Sequence, residues 1–111
     1  MADTKRTTES KRTKRPRNSR QTNDFIKDWE RLERSGKHDM NRLKEAMMLL
    51  VANDAPLPPE WNDHELKGGW QFHRECHVKG DLLLVYQVEA LSKTEVVVFI
   101  GAGTHSELFS R

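Results

Sequence analysis

Apolar residues recur along the chain with two periods, and the change from one to the other divides it. Over residues 22–36, Phe25, Ile26, Trp29 and Leu32 fall at i, i+1, i+4 and i+7, the spacing of one helix face. Thr22 or Asn23 is the expected N-cap, and Ser35 and Gly36 the stop. A second helix opens at Asp39 and carries Met40, Leu43, Met47, Leu50 and Val51 on one stripe as far as Asn53. Its methionines read as core filling. Pro56, Pro58 and Pro59 force an extended loop, after which the period becomes two. Over residues 70–78, Trp70, Phe72, Arg74, Cys76 and Val78 share one side, and Gln71, His73, Glu75 and His77 the other. That is the pattern of a half-buried strand with a polar face. Residues 82–88 and 95–100 are dense in Val, Leu, Ile, Tyr and Phe, which predicts two central strands of a hairpin joined through residues 89–94. Gly101 and Gly103 end the sheet, and Leu108 and Phe109 dock a closing turn. The expected fold is α+β, with two N-terminal helices packed on an antiparallel sheet of about four strands. No internal repeat is apparent.

Charge separates an arm from this body. Residues 1–20 hold eight lysines and arginines against Asp3 and Glu9, a net +6, whereas the other 91 residues carry eleven basic against fifteen acidic side chains, a net −4. With no apolar periodicity, the arm has nothing to offset the entropy of ordering. It reads as a solvated, largely disordered tail over residues 1–20, with a polyanion-binding arm as a sharper reading. An edge strand near 14–20 is the alternative, with Pro16 at its start or outer edge. Residues 21–111 form the domain. One cysteine, Cys76, excludes an internal disulfide and fits a reducing compartment. The apolar stretches 82–88 and 96–100 are far shorter than the roughly 20 residues of a bilayer span. No leader pattern is visible, so the expectation is a cytoplasmic protein without a membrane partner.

Four of the five histidines, His64, His73, His77 and His105, follow residue 60, with Asp81 just before a central strand. A lone histidine is ordinarily a solvated surface group, but sheet topology can bring these to one rim. A zinc site built from His64, His73, Cys76 and His77 is disfavoured because alternation turns Cys76 away from the two strand histidines. The same alternation argues against a Cys76 nucleophile. Neither Gly68-Gly69 nor Gly101-Ala102-Gly103 opens a long helix that would cradle phosphate. The chemistry these residues fit without strain is metal-free RNA cleavage. A ribose 2′-OH attacks the adjacent phosphate while a base removes its proton, an acid protonates the leaving 5′-oxygen, and hydrogen-bond donors hold the extra charge.

A combined pattern then becomes specific. Lys37-His38-Asp39-Met40-Asn41-Arg42-Leu43-Lys44, Pro56-Leu57-Pro58, Asp63-His64, Leu66-Lys67-Gly68, Trp70, Arg74, His77-Val78, Asp81, Tyr86, Gly103-Thr104-His105 and Leu108-Phe109 together resemble the YafQ branch of the RelE toxin superfamily over residues 37–109. The resemblance implies a small microbial ribonuclease fold and a ribosome-dependent mRNA interferase that cuts mRNA in the A site. It implies no cofactor and no metal. The partners it implies are that mRNA, ribosomal RNA, a cognate antitoxin, and operator DNA reached only through the toxin–antitoxin complex. Carried over, the catalytic positions are His64, His77, Asp81, His105 and Phe109. His105 would be the general acid, His77 or Asp81 the base, His64 the group that steadies the phosphate, and Phe109 a wall or stack for a base. Arg74, Lys67 and Trp70 would contact RNA, although the strand parity of Arg74 points to the apolar side. The chain departs from the pattern at Gly101, where relatives commonly carry arginine, and at Leu82, where an aromatic is expected. The alternative is a weakly active or inactive relative acting as an RNA- or ribosome-binding module. A third reading is a structural DNA-binding subunit of a repressor complex.

Overall fold

The computed structural model describes residues 15–53, 57–91 and 93–110. Residues 1–14, most of the basic arm, lie outside the described residues, as does Pro56. A first strand, β1 (Asn18–Gln21), ends that arm. It is tied down by Arg17, whose backbone N–H donates to Val51 O at 2.8 Å and whose Nε meets Glu95 Oε1 at 3.0 Å. Two helices follow, α1 (Asn23–Ser35) and α2 (Met40–Ala52). Their ends are chemically marked. The Thr22 hydroxyl accepts from Phe25 N and the Asp39 carboxylate from Arg42 N, while Gly36 and Asn53 close the helices in left-handed conformation.

The remaining strands are β2 (His64–Glu65), β3 (Arg74–Lys79), β4 (Leu82–Leu91) and β5 (Thr94–Gly103), followed by a short helix α3 (His105–Phe109). They form one sheet of five strands in the order β1-β5-β4-β3-β2. The sheet is mixed rather than antiparallel throughout, because β1 lies parallel to β5. That pairing, and the two-residue β2, take the count beyond the expected four.

The helices cover one face. Phe25 and Leu32 of α1 and Leu43, Ala46 and Leu50 of α2 pack with Cys76, Val78, Leu84, Tyr86, Val97, Phe99 and Ala102 of the sheet. A smaller apolar layer on the opposite side joins Leu83 and Val85 to Leu108 of α3, with Leu66, Trp70, Ile100 and Phe109 around it. The hairpin is longer than the apolar runs suggest, because ladder pairing continues outward to Leu91 and Thr94.

Strand β3 begins at Arg74 rather than Trp70. The preceding residues instead form a tight turn, in which Gln71 has φ −53° and ψ 140° and Phe72 has φ 71°. His73 N donates to Trp70 O at 3.0 Å, closing it. This is the geometry of a type II turn.

Candidate functional site

Alternation along β3 distributes its side chains between the two faces. Cys76 and Val78 enter the helix-side core, while Glu75 and His77 face the other way. Pairing of β2 with β3 sets His64 opposite Glu75. His64 Nε2 therefore lies 3.0 Å from Glu75 Oε2, and His77 Nε2 lies 3.7 Å from the same oxygen. The two imidazoles are 5.9 Å apart between centroids. Each ring is also oriented by Asn62: its carbonyl lies 2.7 Å from His64 Nδ1 and its side-chain amide 3.3 Å from His77 Nε2. Glu75 is buried, and its other oxygen, Oε1, has no hydrogen-bond partner among the described residues. One ligand atom from each of His64, Glu75 and His77 lies within 4.8 Å of the others, so these three residues could hold a metal ion. The soft donor Cys76 is not among them.

His105 is placed by a different device. It is the first residue of α3, directly after Thr104, whose hydroxyl accepts from Glu107 N. The Glu107 carboxylate returns to Thr104 N at 2.8 Å, completing a capping box. That backbone hydrogen bond holds the Glu107 carboxyl below its ordinary pKa against the opposing effect of burial, with Arg31 nearby helping to lower it. Behind it, Asp28 of α1 is buried and accepts from Arg31 Nη1 at 2.7 Å and from Ala102 N at 3.0 Å. Arg31 Nη2 donates to Ala102 O at 3.2 Å. The β5–α3 junction is thus clamped on both sides. A Cβ on Gly103 would come within 2.8 Å of Glu107 Oε1 and 2.9 Å of Arg31 Nη2 at a φ of 156°, so this approach needs glycine.

Register relates the two groups. His77 pairs with Leu83, and Leu83 with Gly103. Two strand spacings, about 10 Å, therefore separate the His77 backbone from the residue two before His105. Phe109 lies one helical turn on from His105, with the rings 4.7 Å apart. Trp70 meets Phe109 at 5.1 Å and 81°, and His73 at 5.1 Å and 86°. His105, Phe109, Trp70 and His73 thus form a continuous run of rings beside the sheet.

The other expected residues fall elsewhere. Asp81 is exposed at the β3–β4 turn and lines a cleft of about 290 Å³ with Lys37, His38, Asp39, Lys79, Gly80 and Leu82. Lys67 is exposed and starts the loop that carries Trp70. Arg74 lies on the helix face, opposite the histidines, as its parity indicates. Its Nε donates to the Tyr86 hydroxyl and its Nη2 to Asp63 Oδ2, both at 3.3 Å. Tyr86 in turn donates to Asp63 Oδ1 at 2.6 Å. Burial works against the Arg74 charge, but Tyr86 and Asp63 together outweigh it and raise the pKa. The guanidinium is held in a network with Tyr86 and Asp63 on this face, away from the histidines. Leu82 sits in the helix-side core. Gly101 pairs with Val85, which pairs with Glu75, so position 101 stands on the carboxylate's own row. Burial pushes the Cys76 thiol up to about 12, with Asp63 and Glu75 adding to the shift, which suits an inert core residue. Glu75 is the residue that sequence reasoning missed. Alternation put it beside His77, but its meeting with His64 depends on a β2 strand that periodicity does not reveal.

Comparison with known proteins places this geometry. The family described as "Bacterial toxin of type II toxin-antitoxin system, YafQ" matches residues 17–110. The mRNA interferase toxin YafQ of Escherichia coli K12 is 41% identical over 71 residues, 64% of this chain and 73% of that protein. The crystal structure of YafQ from E. coli BL21(DE3) superposes with a TM-score of 0.72 at 35% identity, covering 84% of this chain and 98% of that one. YafQ in the crystal structure of the E. coli DinJ–YafQ toxin–antitoxin complex gives 0.70 at 36% identity, over 85% of this chain and 98% of that one.

Proposed function

The chain belongs to the YafQ family of bacterial type II toxins, and on that footing we propose that it is an endoribonuclease toxin that cuts mRNA in the ribosomal A site and is silenced by a cognate antitoxin. The observation that carries the reading is the placement of two proton-transfer positions on one rim. The His64–Glu75–His77 cluster stands at one end of a sheet row and His105 just beyond the other.

With RNA lying between them, His77 takes the 2′-OH proton, and the freed oxygen attacks the neighbouring phosphorus. His105 protonates the departing 5′-oxygen, leaving a cyclic phosphate on the upstream fragment. Glu75 accepts from His64 Nε2 and, together with the Asn62 amide at His77 Nε2, fixes how the two imidazoles point. His64 turns a ring N–H from Glu75 to a non-bridging phosphate oxygen when RNA binds. Phe109, pressed against His105, walls the adjacent base. Asp81 is the alternative base; its exposed position at the turn favours His77 for that role. No step needs a metal. The basic arm supplies salt-dependent affinity for ribosomal RNA that the −4 body lacks. Operator DNA is reached only through the antitoxin complex. The arm at residues 1–20 and the toxin domain at 21–111 are the proposed division of labour. No helix among the described residues is long and apolar enough to cross a membrane, in keeping with a cytoplasmic site of action.

Gly101, standing where the family resemblance leads one to expect arginine and on the same row as Glu75, favours a second reading: a weakened enzyme that acts chiefly as an RNA- or ribosome-binding module. Unpaired expression in a bacterial host separates the two. The endoribonuclease reading expects growth arrest that His105→Ala abolishes in a folded protein and a cognate antitoxin relieves; arrest that survives His105→Ala removes His105 from its role.

A further inference from the structure

The turn over residues 70–73 holds a side chain that the reaction above leaves unused. A type II turn demands positive φ at its third position, and glycine or asparagine ordinarily fills it. Here the residue is Phe72, at φ 71° and with 78% of its surface exposed. The ring buries little in return for an unfavourable backbone. The turn is held in place by its surroundings: Leu66 N donates to His73 O at 2.9 Å, Gln71 N to Gly68 O at 3.2 Å, and Trp70 packs edge-on against His73. Local strain that the scaffold imposes on an exposed side chain points to use of that side chain.

The location indicates which use. The same turn carries Trp70 and His73, which begin the run of rings through Phe109 to His105, so Phe72 lies on the loop from which that run starts. Lys67, exposed at the start of the loop, provides a cation for a phosphate nearby. Among the described residues the other two large exposed apolar side chains, Ile26 and Met48, lie on α1 and α2. Phe72 therefore stands apart from them, flanked by exposed Gln71, rather than forming part of the contiguous apolar patch that a protein partner would need.

We propose that Phe72 is a nucleobase-stacking residue that takes an unpaired mRNA base next to the scissile phosphate. The proposal rests on the endoribonuclease reading. An exposed ring face suits this ligand because every base offers a π-surface, and the contact is tolerant of sequence. It would position substrate without entering the proton transfers.

The test is mRNA cleavage by the full chain in a purified bacterial translation system, with wild type, Phe72→Gly and Phe72→Trp titrated against programmed ribosomes. The expected result is a KM roughly tenfold higher for Phe72→Gly, kcat within about twofold, near-wild-type behaviour for Phe72→Trp, and a thermal midpoint for Phe72→Gly no lower than wild type. Unchanged KM in the glycine variant would overturn the assignment. So would equal losses in the glycine and tryptophan variants, or a change confined to neutralisation by the antitoxin, which would make Phe72 a protein contact. If the wild type cuts nothing, the endoribonuclease reading fails by itself. Stacking is then read from quenching of 2-aminopurine in a single-stranded RNA oligonucleotide: weaker quenching by Phe72→Gly than by wild type supports it, and equal quenching refutes it.

Discussion

Asp28 and Glu75 are buried carboxylates on opposite sides of one sheet, and the molecule uses them in opposite ways. Asp28 sits among the helices with both oxygens engaged, one by Arg31 and one by the backbone of Ala102. Glu75 sits on the α3 side, with one oxygen shared between two imidazoles and the other unpaired. The same division holds for their neighbours. Arg74 and Tyr86 on the helix face close a network with Asp63, whereas His64 and His77 remain half-exposed. Charge on the helix side fixes the fold. Charge on the other side is held in place with one carboxylate oxygen unpaired among the described residues, which suits the proposed reaction.

The sharpest way to break this comparison is to remove the histidines. His77→Ala or His105→Ala should each lower cleavage by about 10²–10⁴-fold with little change in thermal midpoint, read by ribosome-programmed mRNA cleavage beside calorimetry. Next comes Asp28→Ala, which should cost about 2–3 kcal/mol in urea unfolding by stranding Arg31 and the Ala102 amide. Glu75→Gln should do the reverse. Its stability should stay within about 1 kcal/mol of wild type, while kcat falls at least tenfold because the two rings lose the carboxylate charge beside them. A large loss of stability in Glu75→Gln with activity intact would erase the distinction between the faces.

The helices were legible because their signals are local: Thr22, Asp39, Gly36 and Asn53 are caps written into the residues beside them. Strand β1 has no such signal. Its four residues are polar and exposed, and its parallel partner β5 lies more than 70 residues away, so neither periodicity nor turn chemistry announces the pairing. The start of β3 was misread because Phe72 occupies a place where glycine would have marked a turn. At the site, parity alone separated Cys76 and Arg74 from His77. The cluster around Glu75 depends on the β2–β3 register, a long-range fact that the single chain does not display.

Smaller effects sharpen the same contrast. Phe72→Gly should stabilise the fold by about 1 kcal/mol by relieving left-handed backbone. Glu107 offers a pH readout. Because its pKa is lowered in the fold by the Thr104 amide, its contribution is present above the ordinary carboxylate range and is lost as pH falls through the lowered value. The α3 cap should therefore loosen only in acid. Glu107→Gln should remove about 0.5–1 kcal/mol at neutral pH and flatten that acid limb, as followed by thermal melts across pH.

The most direct test of the central claim is primer extension on an mRNA in a purified bacterial translation system, comparing wild type with His105→Ala and including free mRNA without ribosomes. The account predicts cuts at A-site codons that require both ribosomes and His105. Intact mRNA in every lane, from well-folded protein, would contradict it.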